Sequence, residues 1–263
     1  MRIGEDLGLQ LSGNIFNEMR QSKEKVLNSV GSLRKFVSFN KAENMATVGQ
    51  RYKLKNNKDK AEVYSYEVKP MAEARIAFEM SKDDLDMINQ GIEPFNLDAF
   101  EDAVYKLIEF EENLFFNGID NLNLEGFNKT IENEEIKTDG SPNSVINAIQ
   151  KASVVLRKNY IEGPYKLIMG KDMLEYTSQL VGDRTLSNII EKQLKTNITV
   201  SEYIKGALLV PMHSDDIKAN VGKDITVDVD YIEEENVKFY LSEALNFDIL
   251  DPNIAVKIKV DKK

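Results

Sequence analysis

The chain has 263 residues, with 34 Lys and Arg against 44 Asp and Glu, one His, no Cys and no Trp, and its formal net charge is −10. The lack of Cys excludes disulfides, thiolate metal sites and cysteine nucleophiles, and a single His excludes metal sites that need two. An acidic chain has no excess of Lys and Arg to neutralise phosphates, so we expect no nucleic-acid partner.

No stretch of the sequence predicts membrane insertion or export. The first residues include Glu5 and Asp6 and lack the apolar run of a signal peptide. The longest apolar runs, such as residues 207–212, are far too short to cross a bilayer. We therefore expect a cytoplasmic protein without a membrane partner.

The first predicted element is an amphipathic helix over residues 14–36. Its apolar positions recur at spacings of three and four residues, and they are Ile15, Phe16, Met19, Val26, Leu27, Val30 and Leu33. Gly31 is a possible weak point in this helix. A helix packed on the protein's own core is the simpler interpretation, and a partner-binding helix is the alternative.

Residues 37–67 predict a long hairpin, because a polar, turn-rich stretch at 53–60 separates two strand-like runs. The four lysines of this stretch permit a phosphate site, but a solvated loop is the simpler interpretation. Residues 72–80 alternate between apolar and polar side chains, which predicts a half-buried strand.

A long helix is predicted over residues 97–117, with Asn96 as its candidate N-cap and Gly118 as its stop. Glu109, Glu111 and Glu112 lie close together on it, and Glu111 falls on the apolar face. No Glu-x-x-His motif accompanies them, so a ferritin-like metal site has no support. We expect these glutamates to form a solvated or subunit-contacting face.

The rest of the chain mixes helices and strands without a regular βαβ order. Ser141 followed by Pro142 predicts a helix start. Further helices are predicted at 172–180 and 185–194, and strands at 165–169, 207–212, 225–231, 237–241 and 254–260. We therefore predict an α+β fold with a mostly antiparallel sheet whose strands come from distant parts of the chain.

The sequence contains no recognisable catalytic motif. The run from Gly163 to Lys171 has the wrong spacing for a phosphate-binding loop. His213 precedes Ser214 and Asp215, but neighbouring residues cannot converge on one point, so a surface loop is expected. The pairs Asp83-Asp84 and Asp215-Asp216 read as helix-start and turn residues. We predict a structural protein, not an enzyme, without metal or cofactor.

Several stretches, in the same order, resemble encapsulin shell proteins, the linocin-like family that shares the fold of tailed-phage major capsid proteins. The most distinctive is Ile161-Glu162-Gly163-Pro164-Tyr165. The others are residues 33–37, 108–112, 115–118, 124–127, 243–247 and 251–255. Their common order extends the resemblance over nearly the whole chain.

The resemblance implies a division into domains. It assigns 1–36 to a luminal N-terminal helix and 37–80 to an extended loop that reaches across neighbouring subunits. It assigns 81–140 and 222–263 to a peripheral domain with the long helix as its spine, and 141–221 to an axial domain.

The resemblance also implies a function, a self-assembling icosahedral nanocompartment of roughly sixty or more identical chains. Such a shell encloses a cargo enzyme, a peroxidase of oxidative-stress defence or a ferritin-like iron-storage protein, held by its C-terminal targeting peptide. The expected peptide groove comprises Val26, Val30, Arg34, Phe36, Val37, Tyr231 and Ile232. By position alone, Lys195, Thr196 and Asn197 match the pore loop. Flavin-binding shells of this family use a Trp, which this chain lacks, so we expect no flavin.

A phage or prophage major capsid protein that packages DNA is the alternative, because it would share the same fold. The amphipathic helix near the start of the chain favours the shell protein, since phage relatives usually begin with a flexible arm or a scaffold segment.

Overall fold

The computed structural model describes residues 13–53 and 64–261. Its α-helices are α1 (Gly13–Val30), α2 (Lys82–Gln90), α3 (Asp98–Asn117), α4 (Phe127–Thr130), α5 (Pro142–Lys158), α6 (Leu174–Thr177) and α7 (Leu186–Leu194). Its first strands are β1 (Ser38–Lys41), β2 (Ala46–Lys53), β3 (Tyr64–Pro70), β4 (Ala72–Ser81), β5 (Gly118–Ile119), β6 (Leu124–Glu125), β7 (Ile136–Thr138) and β8 (Tyr165–Met169). The later strands are β9 (Leu180–Val181), β10 (Arg184–Thr185), β11 (Thr199–Val200), β12 (Ala207–Pro211), β13 (Ile217–Ile232), β14 (Asn236–Ile249) and β15 (Val256–Val260).

Two larger sheets organise the molecule. One has the order β1-β13-β14-β4, in which β13, β14 and β4 run antiparallel and β1 joins β13 in parallel. The other has the order β11-β8-β12-β15-β7, with an antiparallel centre and a parallel strand at each edge. The predicted α+β class and mostly antiparallel pairing are therefore confirmed.

The long hairpin is also confirmed where the structure describes it. Strands β2 and β3 pair antiparallel as a separate two-stranded ribbon, which we call the arm. The turn of this hairpin, with most of its predicted basic tip, lies outside the described residues.

Each sheet carries its own apolar core, and α3 packs into both. Phe100, Val104 and Leu107 belong to the core that covers the four-stranded sheet together with α1 and α2. Phe115 and Phe116 belong to the core of the five-stranded sheet and α5. Aromatic packing of this kind contributes more than its buried area alone. The spine helix thus joins the two halves of the fold.

The first helix is shorter than predicted. It ends at Val30, and a single 3₁₀ turn (Leu33–Lys35) follows in place of the helical residues expected up to 36. Gly31 disfavours helix continuation. In addition, the Glu112 side chain accepts hydrogen bonds from the backbone N–H groups of Ser32 and Leu33, which satisfies them outside the helix.

Other differences follow from contacts that local patterns do not contain. Strand β13 starts at Ile217, eight positions before the predicted 225, because its first half pairs with both β1 and β14. Of the predicted helix 172–180, only residues 172–177 are helical, as the end of a 3₁₀ turn followed by α6. For helix α2, the sequence predicted only a start, from the pair Asp83-Asp84. Its N-cap Ser81 accepts a hydrogen bond from the backbone of Asp84.

The domain boundaries stay a prediction, but strand pairing bears on them. The five-stranded sheet contains β8, β11 and β12 from the predicted axial segment 141–221. It also contains β7 and β15, which the resemblance assigned to the peripheral segments 81–140 and 222–263. These two strands pair with each other along one edge of the sheet.

Candidate functional site

A buried carboxylate holds the exit of α1 against the rest of the molecule. Glu112 on α3 is 4% exposed. It accepts hydrogen bonds from the backbone N–H of Ser32 at 2.6 Å, from the Ser32 hydroxyl at 2.6 Å and from the Ser201 hydroxyl at 3.2 Å. Burial raises the pKa of Glu112, while the hydrogen bonds from Ser32, Leu33 and Ser201 oppose that rise. Glu112 thereby connects α3 with the segment that follows α1 and with the loop at Ser201.

Arg34 forms a second buried charge cluster beside the first. Its guanidinium pairs with Glu111 on α3 and, at 3.3 Å, with Glu243 on β14. The same group lies 4.3 Å from the centroid of the Phe39 ring, within cation–π range. Burial and the neighbouring Glu111 charge raise the pKa of Glu243 well above its ordinary value.

These clusters correct the expectation for the glutamates of α3. Glu111 and Glu112 are 1% and 4% exposed, and of the three only Glu109 is exposed. The sequence contained one signal of this, since Glu111 falls on the apolar face of the helix. Glu243 was missed, although it lies inside the buried run 241–246 of β14. A charged residue within a buried run is expected to have a buried partner.

A groove of about 420 Å³ opens beside the end of α1. Val30, Tyr105 and Val200 contribute exposed apolar side chains to it, and Glu109 and Glu202 contribute acidic ones. The remaining lining residues are Ser29, Ser32, Ile108, Glu112, Lys171, Ser201 and Tyr203. Glu202 pairs with Lys171 across the rim, so the rim carries charges of both signs. The groove therefore combines an apolar surface with a polar rim, which suits an extended peptide segment.

The seven residues of the predicted peptide groove differ in exposure. Val26 packs in the core of the four-stranded sheet, and Phe36 and Val37 pack in the other core, each at most 3% exposed. These three side chains are covered by the chain itself, and their role in peptide binding stays a prediction.

The other four predicted groove residues keep some exposure. Val30 is 43% and Tyr231 47% exposed, and Arg34 and Ile232 are partly buried. Val30 lies at the end of α1, whereas Tyr231 and Ile232 lie at the end of the β13–β14 hairpin. Their role in peptide binding stays a prediction.

The predicted pore loop follows α7 as a tight turn. Lys195 has a positive φ of 57° and closes the helix, and the backbone N–H of Thr196 donates to the Glu191 carbonyl. The Thr196 hydroxyl accepts a hydrogen bond from Lys166 at 3.2 Å. Lys195 and Asn197 are exposed. A pore function for this loop stays a prediction.

The arm presents an apolar stripe. Tyr64, Tyr66 and Val68 alternate along β3 and are 39%, 57% and 64% exposed. Alternate residues of a strand share one face. Three apolar side chains on one face of a two-stranded ribbon form a surface that a partner can cover.

No cluster of metal-binding side chains is found in the part of the chain that the structure describes. Within residues 13–53 and 64–261, no group of three or more His, Asp and Glu side chains is placed to hold a metal ion. His213 lies exposed in a loop, as predicted, and its backbone N–H donates to the Phe36 carbonyl. No helix among the described residues is long and apolar enough to cross a membrane.

Comparison with known proteins finds the same family by its family model and by single relatives. Residues 8–246 match the family model Linocin_M18, described as encapsulating protein for peroxidase. Type 1 encapsulin shell proteins of Mycolicibacterium paratuberculosis and Brevibacterium linens are 23% and 24% identical to this chain. The matches cover 68% of both chains in the first case and 73% of both in the second.

Solved structures share the fold. The virus-like particle of Pyrococcus furiosus has a TM-score of 0.67 at 20% identity, covering 92% of this chain and 98% of that one. The capsid of an empty GTA particle has a TM-score of 0.59 at 14% identity, covering 88% and 90%. The fold is therefore that of tailed-phage capsid proteins. The curated relatives are named as shell proteins, which agrees with the prediction of a structural, non-enzymatic chain. The chain belongs to the encapsulin shell-protein family.

Proposed function

We propose that this chain assembles with further copies of itself into a closed, capsid-like shell in the cytoplasm that encloses a cargo protein. The arm carries the proposal, because it exposes Tyr66 and Val68 on a ribbon that has no core of its own. A two-stranded ribbon is marginally stable in isolation. Identical copies arranged by closed symmetry would cover the same stripe on every arm.

Particle imaging tests the assembly. We expect the purified chain to form discrete hollow particles in negative-stain micrographs, with a mass that corresponds to roughly sixty or more copies. A chain that stays monomeric over a range of concentrations and salt conditions contradicts the proposal.

For the cargo we propose a peroxidase, held by a peptide at its C-terminus. The family description supports the cargo class, since it names an encapsulating protein for peroxidase. The groove beside Val30 supports peptide docking, because its apolar surface and polar rim suit an extended segment that carries apolar side chains. Many weak grooves facing an oligomeric cargo would give high avidity.

Replacement of Val30 by Glu tests the groove. The substitution adds a charge to the apolar part of the groove, and we expect at least about a tenfold loss of co-purified peroxidase, since each 1.4 kcal/mol is tenfold in affinity. Val154→Glu is the matched control, because Val154 is 46% exposed on α5 and does not line the groove. Equal loading of wild type and Val30→Glu in intact particles would exclude this groove.

Packaging of DNA is the alternative function, since capsid proteins of phages share the fold. The two functions differ in what the particles contain. Particles with a protein-like absorbance spectrum and no nuclease-protected DNA support the cargo shell, whereas protected DNA supports the capsid. The net charge of −10 favours the first result.

A further inference from the structure

The arm leaves the four-stranded sheet from both of its edges. Strand β1 at one edge leads into β2, and β3 leads into β4 at the other edge through Met71 alone. The two central strands, β13 and β14, therefore meet the base of the arm. Within the described residues, neither β2 nor β3 packs extensively on any other element.

One side chain of β14 contacts both strands of the arm at this base. Asn246 is fully buried. Its Nδ2 group lies 3.0 Å from the Thr47 hydroxyl on β2 and 3.2 Å from the carbonyl oxygens of Lys69 and Pro70 on β3. Its Oδ1 accepts a hydrogen bond of 3.0 Å from Asn220 on β13. A single amide thus connects the arm to the centre of the sheet.

Neighbouring contacts also restrict the movement of the arm at its base. Lys69 pairs with Asp248 at 3.3 Å, and Asn220 donates to the other Asp248 oxygen at 2.9 Å. Gly222, at an irregularity in β13, lies directly under Met71 and Met45. A Cβ atom at Gly222 would collide with the Met71 sulfur. The side chains of Met45 and Met71, which flank the two strands of the arm, therefore occupy the space that a glycine leaves at its base.

These contacts have a mechanical consequence. A ribbon without lateral packing can tilt about its attachment, and its direction is fixed only by interactions at the base. Buried amide hydrogen bonds are suited to this, because breaking them leaves buried polar groups without partners. An apolar contact would let the arm slide over the sheet. The hydrogen bonds of Asn246 instead favour the one arm direction in which donors and acceptors meet.

We propose that Asn246 is a positioning residue that sets the direction in which the arm leaves the sheet. The direction is a property of the single chain. Its consequence rests on the proposed function, since the direction then decides which neighbouring copies the arm reaches and how strongly the shell curves.

Distance measurements between spin labels test the direction itself. The chain has no Cys, so Ser65→Cys in the arm and Ala77→Cys on β4 introduce the only labelling sites. We expect a narrow distance distribution in the parent chain, recorded with labelled chains diluted in unlabelled ones. Asn246→Asp removes the amide donors, and we expect loss of the narrow distribution.

Two further variants make the result decisive. Thr47→Val removes an acceptor from the arm and leaves the core unchanged, so broadening in this variant supports the proposal even if Asn246→Asp fails to fold. Asn236→Asp is the matched control, because Asn236 lies on β14 and its amide donates to Glu79 and not to the arm. An unchanged distribution in folded Asn246→Asp, or in Thr47→Val if the former does not fold, overturns the proposal.

Particle size separates this inference from the proposed function. If the parent chain forms discrete particles, we expect Asn246→Asp to shift their diameter or leave them open. Unchanged particles despite a broadened arm would overturn the link between arm direction and curvature. Absence of particles from the parent chain would contradict the proposed function, while the label distances would still decide the role of Asn246.

Discussion

At the scale of single residues, the cluster of Arg34, Glu111 and Glu243 contains two buried carboxylates and one guanidinium. Glu243 Oε2 and Arg34 Nε have no hydrogen-bond partner among the described residues. A buried carboxylate without full compensation takes up a proton more readily. This explains the direction of the Glu243 pKa, and Asp224 adds a smaller effect in the same direction.

The cluster predicts a pH dependence of stability. The folded protein keeps a proton on Glu243 that the unfolded chain releases near its ordinary pKa, so the free energy of unfolding falls as pH rises through the folded-state pKa. Glu112 contributes with the same sign. Because Gln stays neutral, we expect Glu243→Gln to be stabilised relative to the wild type by more at pH 8 than at pH 5.

Urea denaturation of the wild type and Glu243→Gln across this pH range is the measurement. Glu175→Gln serves as the control, because Glu175 is exposed on α6. The same pH dependence of stability in the wild type and in Glu243→Gln would contradict the assignment of Glu243.

At the scale of elements, α2 depends on its N-cap. The Ser81 hydroxyl accepts a hydrogen bond of 3.0 Å from the Asp84 backbone, and Asp83 and Asp84 lie in the first turn, where negative charge favours a helix. We expect Ser81→Ala to lower the free energy of unfolding by about 1 kcal/mol. Thermal unfolding measures this change in stability. Ser153→Ala inside α5 is the control, and we expect it to leave the free energy of unfolding unchanged. Equal effects of the two substitutions would show that the cap contributes nothing specific.

At the scale of the whole molecule, the charge of −10 opposes the gathering of many copies. Added salt shortens the Debye length from about 30 Å at 0.01 M to about 8 Å at 0.15 M and so weakens this repulsion. We expect particles to form at a lower protein concentration in the higher salt, as measured by light scattering. Dissociation on adding salt would instead show that ion pairs between copies dominate the contacts.

Local patterns predicted the elements that carry a clear periodicity. Strand β4 alternates as expected, and α3 spans residues 98–117 against a predicted 97–117. The peptide groove stays a prediction, and the sequence could not show which of its side chains remain exposed, because exposure depends on packing. Phe36 and Val37 are apolar in sequence whether a peptide or the protein's own core covers them, and here the core covers them.

The sequence by itself excluded cysteine chemistry and metal sites that need two histidines, and it predicted the α+β class and the family. Residue types, periodicity and the order of motifs are properties of the linear chain. Only the tertiary structure decided where α1 ends, how Glu111, Glu112 and Glu243 are buried, and how Asn246 holds the arm. Those features depend on contacts between residues far apart in sequence, such as Ser32 and Glu112, which are 80 positions apart. No local pattern encodes a partner at that distance, because the partner is brought near only when both cores have packed.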